Sequence, residues 1–417
     1  MVDDDGARRR EVGRQVARWR ARRGLTRQQF ADLCGRSVSW VDKIERGERA
    51  LLRLPMLERV AEVLRISVDM LTGPDQARAA VSRCLDAFEV SAIREALQRY
   101  DAITMLLRSP LSADSPPDVN RVQRQLEYAW SAFQNAHYSM LGRVLPGLLH
   151  EAQDAVALHS GDEQTNAQRA LSQAYQVTAS ALWKMKETDL AWLAAERALV
   201  LAEAIGDPLL ISDAARRVAQ GLMATNHGGQ ALGLLRADID RLEPGIGTAS
   251  AEYLSLYGML FLLGGVVAAR QGQSAVAREL HREGQDIAAR LGDDRNERWT
   301  AFGPTNVVVH QVAALVDLGD GGAAVQVGSG VRSAGLAKLP RERRASFFVD
   351  IARGHALDGR RDEAVKALLQ AEQCAPDEVR CRPLAMTVIE DLQRKGPGQP
   401  PLPLRQLAAR VGLRTGS

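Results

Sequence analysis

From Pro74 onwards, Ala, Leu, Glu, Gln and Arg recur at spacings of three and four residues, and no convincing stretch alternates apolar with polar side chains. That periodicity commits a chain of 417 residues to burying helices against helices, because a sheet needs a period-two pattern that is missing here. The expected fold class is all-α. At roughly 100 to 200 residues per domain, the length implies two or three domains. The longest apolar run, Tyr257 to Ala269, is 13 residues long and contains three glycines. It falls short of the roughly 20 residues that a membrane-crossing helix needs, and it reads as a buried helix.

Within this helical body a unit repeats. Residues 345–378 place Phe348, Ile351, Ala352 and His355 on one helix and Ala364, Leu368 and Ala371 on the next, with Gly359 between them and Pro376 after. This fits the 34-residue tetratricopeptide pattern. A looser copy spans Ser172 to Ala204, and another has Phe261, Gly265 and Ala277 around a turn at Gly272. The segments Ala204 to Asp207 and Arg290 to Asp293 both end in Gly-Asp and lie 86 residues apart, two periods of about 43 with lengthened second helices. About six helix pairs are expected between Val122 and Pro383, forming a solenoid whose first helices line a concave groove. The expected organisation is a head over 8–73, linker helices over 74–117 ending in the proline-rich Ser109 to Pro117, the body over 118–395, and a spacer with a terminal helix over 396–417.

The net charge of +3 conceals an asymmetry. Between Arg8 and Arg53 there are 14 basic residues against 5 acidic, whereas Pro74 to Ser417 holds 38 against 40. The basic head reads as five helices. Val12, Val16 and Trp19 mark the buried stripe of the first, which Gly24 stops. Thr26 caps the second and Gln29 completes a capping box, with Phe30 and Leu33 facing inward. After Gly35, Ser37 caps a third helix with Val38, Val41 and Ile44 as its buried side and Ser39, Trp40, Asp42, Lys43 and Arg46 exposed. Gly47 closes it. A fourth helix follows Pro55 (Met56, Val60, Leu64), and Ser67 caps a short fifth. Two short helices about a glycine turn, the second with a small-polar and basic face, suit a major groove about 12 Å wide.

The run from Leu25 to Gly47, with Ala31, Gly35, Val41, Ile44, Glu45 and Gly47 as its hallmark positions, resembles the helix-turn-helix of the Cro-like, or XRE, repressors without a gap. The resemblance covers about 65 residues. It implies that Val38, Ser39, Trp40 and Lys43 face bases, with Ser37 at the cap. It further implies that Arg27 and Gln28 hold phosphates and that Arg46 and Arg49 flank the recognition helix on the backbone. Val38 and Trp40 depart from the amides common at these positions, which favours a thymine-methyl contact from Val38. Trp40 is either a backbone wedge or a packing residue. As a whole the chain resembles large actinobacterial XRE regulators with tetratricopeptide-like C-terminal domains, and more distantly the peptide-responsive quorum sensors of Gram-positive bacteria. In the latter group asparagines on inner helices grip a peptide backbone, which nominates Asn135, Asn226 and Asn306, with His310 beside the last. The alternative for each is a capping or surface role.

Catalytic and cofactor chemistry finds no foothold. The seven histidines form no metal pair, no phosphate-binding loop occurs, and Leu263 to Val266 lies inside an apolar helical stretch. The four cysteines are dispersed and read as structural thiols of a reduced, cytoplasmic protein. The acidic start, Met1 to Asp5, followed by arginines, does not read as a leader. The expectation is a non-enzymatic, cofactor-free transcriptional regulator. It would be a homodimer that binds a double-stranded DNA operator with two half-sites, away from membranes, and senses a peptide or small molecule. The rival is a tetratricopeptide scaffold for protein partners with the head as a tether.

Overall fold

The computed structural model describes residues 3–48, 56, 59–60, 63–64, 89–99, 116–394 and 399–413, with side chains from residue 12. Every regular element among these residues is helical. The chain divides into two compact units, Met1–Ser82 with Gly412–Arg414, and Arg83–Val411 with Thr415–Ser417. The fifth helix expected in the head, most of the linker helices and Ser109 to Asp114 lie outside the described residues.

In the first unit α1 (Asp3–Arg22), α2 (Arg27–Cys34) and α3 (Val38–Glu45) pack Val12, Val16, Phe30, Ala31, Val41 and Ile44 into one core, joined by Val60 and Leu64. Local chemistry sets the boundaries. The Thr26 hydroxyl accepts from the Gln29 amide at 3.2 Å while the Gln29 side chain accepts from the Thr26 amide at 2.9 Å, so two orphan donors of α2 are satisfied reciprocally. Gly35 ends α2 in the left-handed region, φ 65°, where a side chain would be strained. Ser37 then caps α3 by accepting from the Trp40 amide. Leu33, expected to face inward, is instead exposed.

The first described helix of the second unit is α4 (Val90–Gln98), and six helix pairs follow among the described residues. They are α5 (Val119–Gln134) with α6 (Tyr138–Leu158), α7 (Gly161–Met185) with α8 (Thr188–Ile205), α9 (Pro208–Ala224) with α10 (Gly228–Leu242), α11 (Ala251–Arg270) with α12 (Ser274–Leu291), α13 (Pro304–Asp317) with α14 (Gly321–Ser329), and, after the short α15 (Ser333–Lys338), α16 (Arg341–Leu357) with α17 (Arg361–Cys374). Then come α18 (Pro376–Arg380), α19 (Pro383–Arg394) and α20 (Leu402–Arg410). The same device makes the turn inside every pair, a single left-handed residue: Ala136, Lys186, Asn226, Gly272, Gly319 and Gly359 in order. Each pair leaves an apolar stripe that only the next pair can bury, and each first helix packs on the next.

Helix α11 is buried along almost its whole length. Its 20 residues are apolar enough to cross a membrane, but 83% of its apolar window is covered by the fold. Gly258 and Gly265 open slots for the Phe302 and His281 rings, since a Cβ there would come within 2.0 Å and 2.4 Å of those rings. The glycines in the apolar run are therefore packing devices. Cys34 is buried, and that burial pushes its thiol up to about 11, which makes it inert. Cys374 is a free thiol, whereas Cys381 is disulfide-bonded, which corrects the expectation of a reduced thiol at that position.

The solenoid returns on itself, α16 packing against α5. Tyr138 of α6 donates its hydroxyl to Glu378 of α18, and Lys184 of α7 bridges Glu342 of α16 and Glu378. Arg382 reaches Glu378 at 3.2 Å. Burial alone would push the Glu342 carboxyl up, but Lys184 and then Arg343 prevail and hold it at about 2. Removing one member of such a network strands its partners. Glu342→Gln is expected to cost about 3–5 kcal/mol in denaturant unfolding near neutral pH. A depressed folded pKa contributes stability above the ordinary 4.5 and loses it as pH falls through about 2. The gap between parent and variant should therefore narrow across that window, and a gap that stays constant would refute the assignment.

Candidate nucleic-acid interface and effector cavity

The second and third helices of the head carry the residues singled out for DNA. Arg27, Gln28, Ser37, Ser39, Lys43 and Arg46 are exposed, while Val38 and Trp40 are half-buried against the head core. Trp40 thus combines packing with a partly open face. Arg49 lies outside the described residues. Among the described residues Lys43 makes no ion pair, and its exposed ammonium is available to a base edge or phosphate. Arg46 is held by Asp42 at 2.8 Å, and the Gln28 amide donates to Asp32 at 2.9 Å.

The pivot of this surface is Glu45, which the sequence marks only as a hallmark position. It is buried, and its carboxylate accepts from Arg20 of α1 at 2.5 Å and from Arg27 of α2 at 2.8 Å. Burial pushes the Glu45 carboxyl up, but the hydrogen bonds from the two guanidinium groups outweigh it and leave the carboxyl below its ordinary value. One charge therefore fixes three helices in register and orients Arg27 with half its side chain still open to solvent. Gly13 is a second determinant that the sequence did not flag. A Cβ there would sit 2.3 Å from the Ile44 carbonyl oxygen, so α1 reaches the backbone of α3 only because position 13 has no side chain.

In the second unit a cavity of about 710 Å3 opens on the inner side of the solenoid, lined mainly by the first helices of the pairs. Trp130, Trp183 and Trp299 form apolar walls, and the charged lining comprises eight Lys or Arg side chains against three Asp or Glu. Part of the wall is the irregular segment between α12 and α13, where Arg298, Trp299 and Ala301 all adopt positive φ (48°, 58° and 53°). Non-glycine residues rarely hold that conformation, and it persists here because the surroundings fix it. Gln134 and Asn296 exchange amide hydrogen bonds at 2.8 and 2.9 Å, and Gln134 also donates to the Trp299 carbonyl.

The four residues nominated for a ligand are not brought together. His310 lines the cavity. Burial, and then the neighbouring Arg343 charge, lower its pKa to about 3, so it is a neutral imidazole. Asn306, one turn earlier, is fully buried with its amide toward the Met259 sulfur at 3.8 Å and its Oδ1 without a partner. Asn135 is the C-cap of α5, its amide donating to the Ser131 carbonyl at 2.9 Å. Asn226 is the exposed left-handed residue of the turn between α9 and α10. Neither Asn135 nor Asn226 lines the cavity. The sequence reading missed Arg216, Arg217 and Arg343. The available signal was that Asp213 and Arg217 interrupt the buried spacing Leu210, Ala214, Gly221 of α9.

Residues 11–72 match the helix-turn-helix domain family. A 64-residue stretch, 15% of the chain, is 39% identical to an uncharacterized HTH-type transcriptional regulator of Bacillus subtilis, YazB, and covers 91% of that protein. The chain belongs to the helix-turn-helix transcriptional regulators. Among solved structures it is similar to aspartyl phosphate phosphatase F from Bacillus subtilis (12% identity, TM-score 0.42, 87% of this chain and 93% of that one). It is also similar to Bacillus thuringiensis PlcR, solved in complex with the peptide PapR7 and DNA (16% identity, TM-score 0.30, 68% of this chain and 95% of that one).

Gly13→Ala should separate α1 from α3 at a cost of about 1–3 kcal/mol. Hydrogen exchange would register this as faster exchange in α3, and unchanged exchange there would show that the close approach is not needed.

Proposed function

We propose that this regulator reads a specific DNA site as a homodimer through α3 of each head, and that the body senses an effector in its cavity. The observation that carries the reading is the division of α3 into two faces. Val41, Ile44 and Glu45 are buried, while Ser39, Lys43 and Arg46 stand open beside the exposed Arg27 and Gln28. Ser39 and Lys43 lie one turn apart and are the side chains that would meet base edges, with Val38 reaching a thymine methyl. Arg27, Gln28, Ser37, Arg46 and Arg49 would hold phosphates, helped by the amides at the N-terminus of α2. One head offers a small footprint. Two half-sites about 34 Å apart, one helical turn, are how this fold reaches useful affinity. Effector binding would act by altering the curvature of the solenoid and so the spacing of two heads. On this reading the protein acts in the cytoplasm and carries out no catalysis of its own.

Selection of binding sites from a random duplex pool, followed by footprinting at graded salt, tests the proposal. The parent should recover a two-half-site sequence and lose affinity steeply between about 50 and 200 mM salt. Lys43→Ala should cost about 1–3 kcal/mol and relax one base position, whereas Arg27→Ala should weaken all sequences alike and lower the salt slope by about one. Recovery of no sequence, with a protein partner captured instead, would favour a scaffold.

A further inference from the structure

We propose that the effector is an oxyanion, a carboxylate or phosphate group seated in the body cavity on Arg217 and Arg343. The inference rests on the reading of the body as an effector domain and specifies what that domain recognises. Arg217 is only 6% exposed, and among the described residues it makes no hydrogen bond. Its neighbouring carboxylate, Asp213, is 3.8 Å away and is already bound by Arg216 at 2.5 Å, with Arg298 at 3.6 Å as a third claimant. The Arg217 guanidinium lies instead over the Trp130 ring, 5.2 Å from its centroid. Arg343 is more open, its side chain 29% exposed, but among the described residues it too makes no hydrogen bond, and Glu342, at 3.8 Å, is committed to Lys184.

The chemistry of the unused atoms is one-sided. Among the described cavity-lining residues, the buried side-chain polar atoms without a partner are the Nε atoms of Arg216, Arg217 and Arg343 and the indole nitrogens of Trp130 and Trp183. All five are donors, and no buried acceptor on the lining is left over. Donors that include guanidinium cations are answered best by an anionic acceptor, and the planar fork of arginine matches a carboxylate or a phosphate. Buried donors left unpaired in a native fold need an explanation of this kind. Burial and the Arg216 charge lower the Arg217 pKa only to about 9, so it remains a cation at neutral pH. The tryptophan walls and the burial of Arg217 lower the local polarity, which strengthens a guanidinium–oxyanion contact. The volume also accommodates a ligand body well beyond the anionic group.

The test is thermal unfolding of the full chain with three probes at matched ionic strength: sodium pyrophosphate, a random heptapeptide pool without Asp or Glu and with free C-terminal carboxylates, and the same pool amidated. Stabilisation by pyrophosphate assigns a phosphate-bearing ligand. Stabilisation by the free but not the amidated pool assigns a peptide carboxylate. In either case Arg217→Gln and Arg343→Gln should each weaken the apparent affinity at least tenfold. Without ligand, Arg217→Gln should melt no lower than the parent, because it removes an uncompensated buried cation. No shift with any probe, equal shifts with both peptide pools, or a shift indifferent to both substitutions overturns the oxyanion site. Equal shifts that are lost on Trp299→Ala leave the effector reading standing without the anion. A probe that binds at Arg217 and Arg343 but leaves DNA affinity unchanged supports the oxyanion site and sinks the effector reading instead.

Discussion

The body depends on one buried polar junction, where Tyr138, Lys184, Glu342, Glu378 and Arg382 converge. A solenoid assembled only from nearest-neighbour contacts has no preferred closure, because each pair answers only to the next. Here residues 240 positions apart in sequence are hydrogen-bonded, with Glu378 fully buried. Charges withdrawn from water must be paired, and these pairs exist in one arrangement of the first and last helix pairs. Burial, the charges of Glu378 and Glu342 and the hydrogen bond to Glu378 together raise the Tyr138 hydroxyl well above its ordinary value, so it stays a donor. Apolar packing would have allowed the ends to slide over one another. The ionic junction fixes their register, and the cavity exists because the first helices are thereby held around a common space.

The irregular segment before α13 depends on the same closure. Its three left-handed residues are held from across the solenoid by Gln134, and Trp299 stacks on Trp130 with centroids 6.2 Å apart and planes 11° from parallel. Arg298 reaches back to Glu252 at 2.7 Å and toward Asp213. The strained wall, the arginine cluster and the closing junction form one electrostatic system. Asp213 and Glu342 are shared among more cations than they can neutralise, and the surplus faces the cavity.

Much of this fold was legible in the sequence, and the rest fails for identifiable reasons. Gly272 and Gly359 announced their turns because glycine takes positive φ without strain. Ala136, Lys186 and Asn226 make the same turn with side chains that carry no such signal, and Asn226 consequently looked like a ligand contact. The matching segments ending at Asp207 and Asp293 were read as equivalent period marks. Asp207 does cap a helix, with Pro208 preset at its first position, but after Asp293 the next such proline is Pro304, and the intervening chain is irregular. Arg216 and Arg217 escaped notice because arginine on a helix is ordinarily a solvated face. Only the closure of the solenoid, invisible to local periodicity, turns that face inward.

In the head, the excess of basic residues is a poor measure of what is offered to DNA. Arg20 and Arg27 share Glu45, Arg46 binds Asp42, and Arg23 and Arg59 donate to the carbonyls of Leu64 and Leu33. Several arginines are thus structural struts whose charge is partly cancelled at short range. Counterion release scales with the phosphates a surface neutralises rather than with formal charge, so the internal pairs lower the nonspecific attraction of the head. What they supply in exchange is geometry, because α3, held by Glu45 and by the close approach at Gly13, presents Ser39 and Lys43 on a rigid frame. The head thus gives up part of its nonspecific attraction for a fixed orientation of its exposed side chains, and orientation rather than charge is what discrimination between base sequences requires.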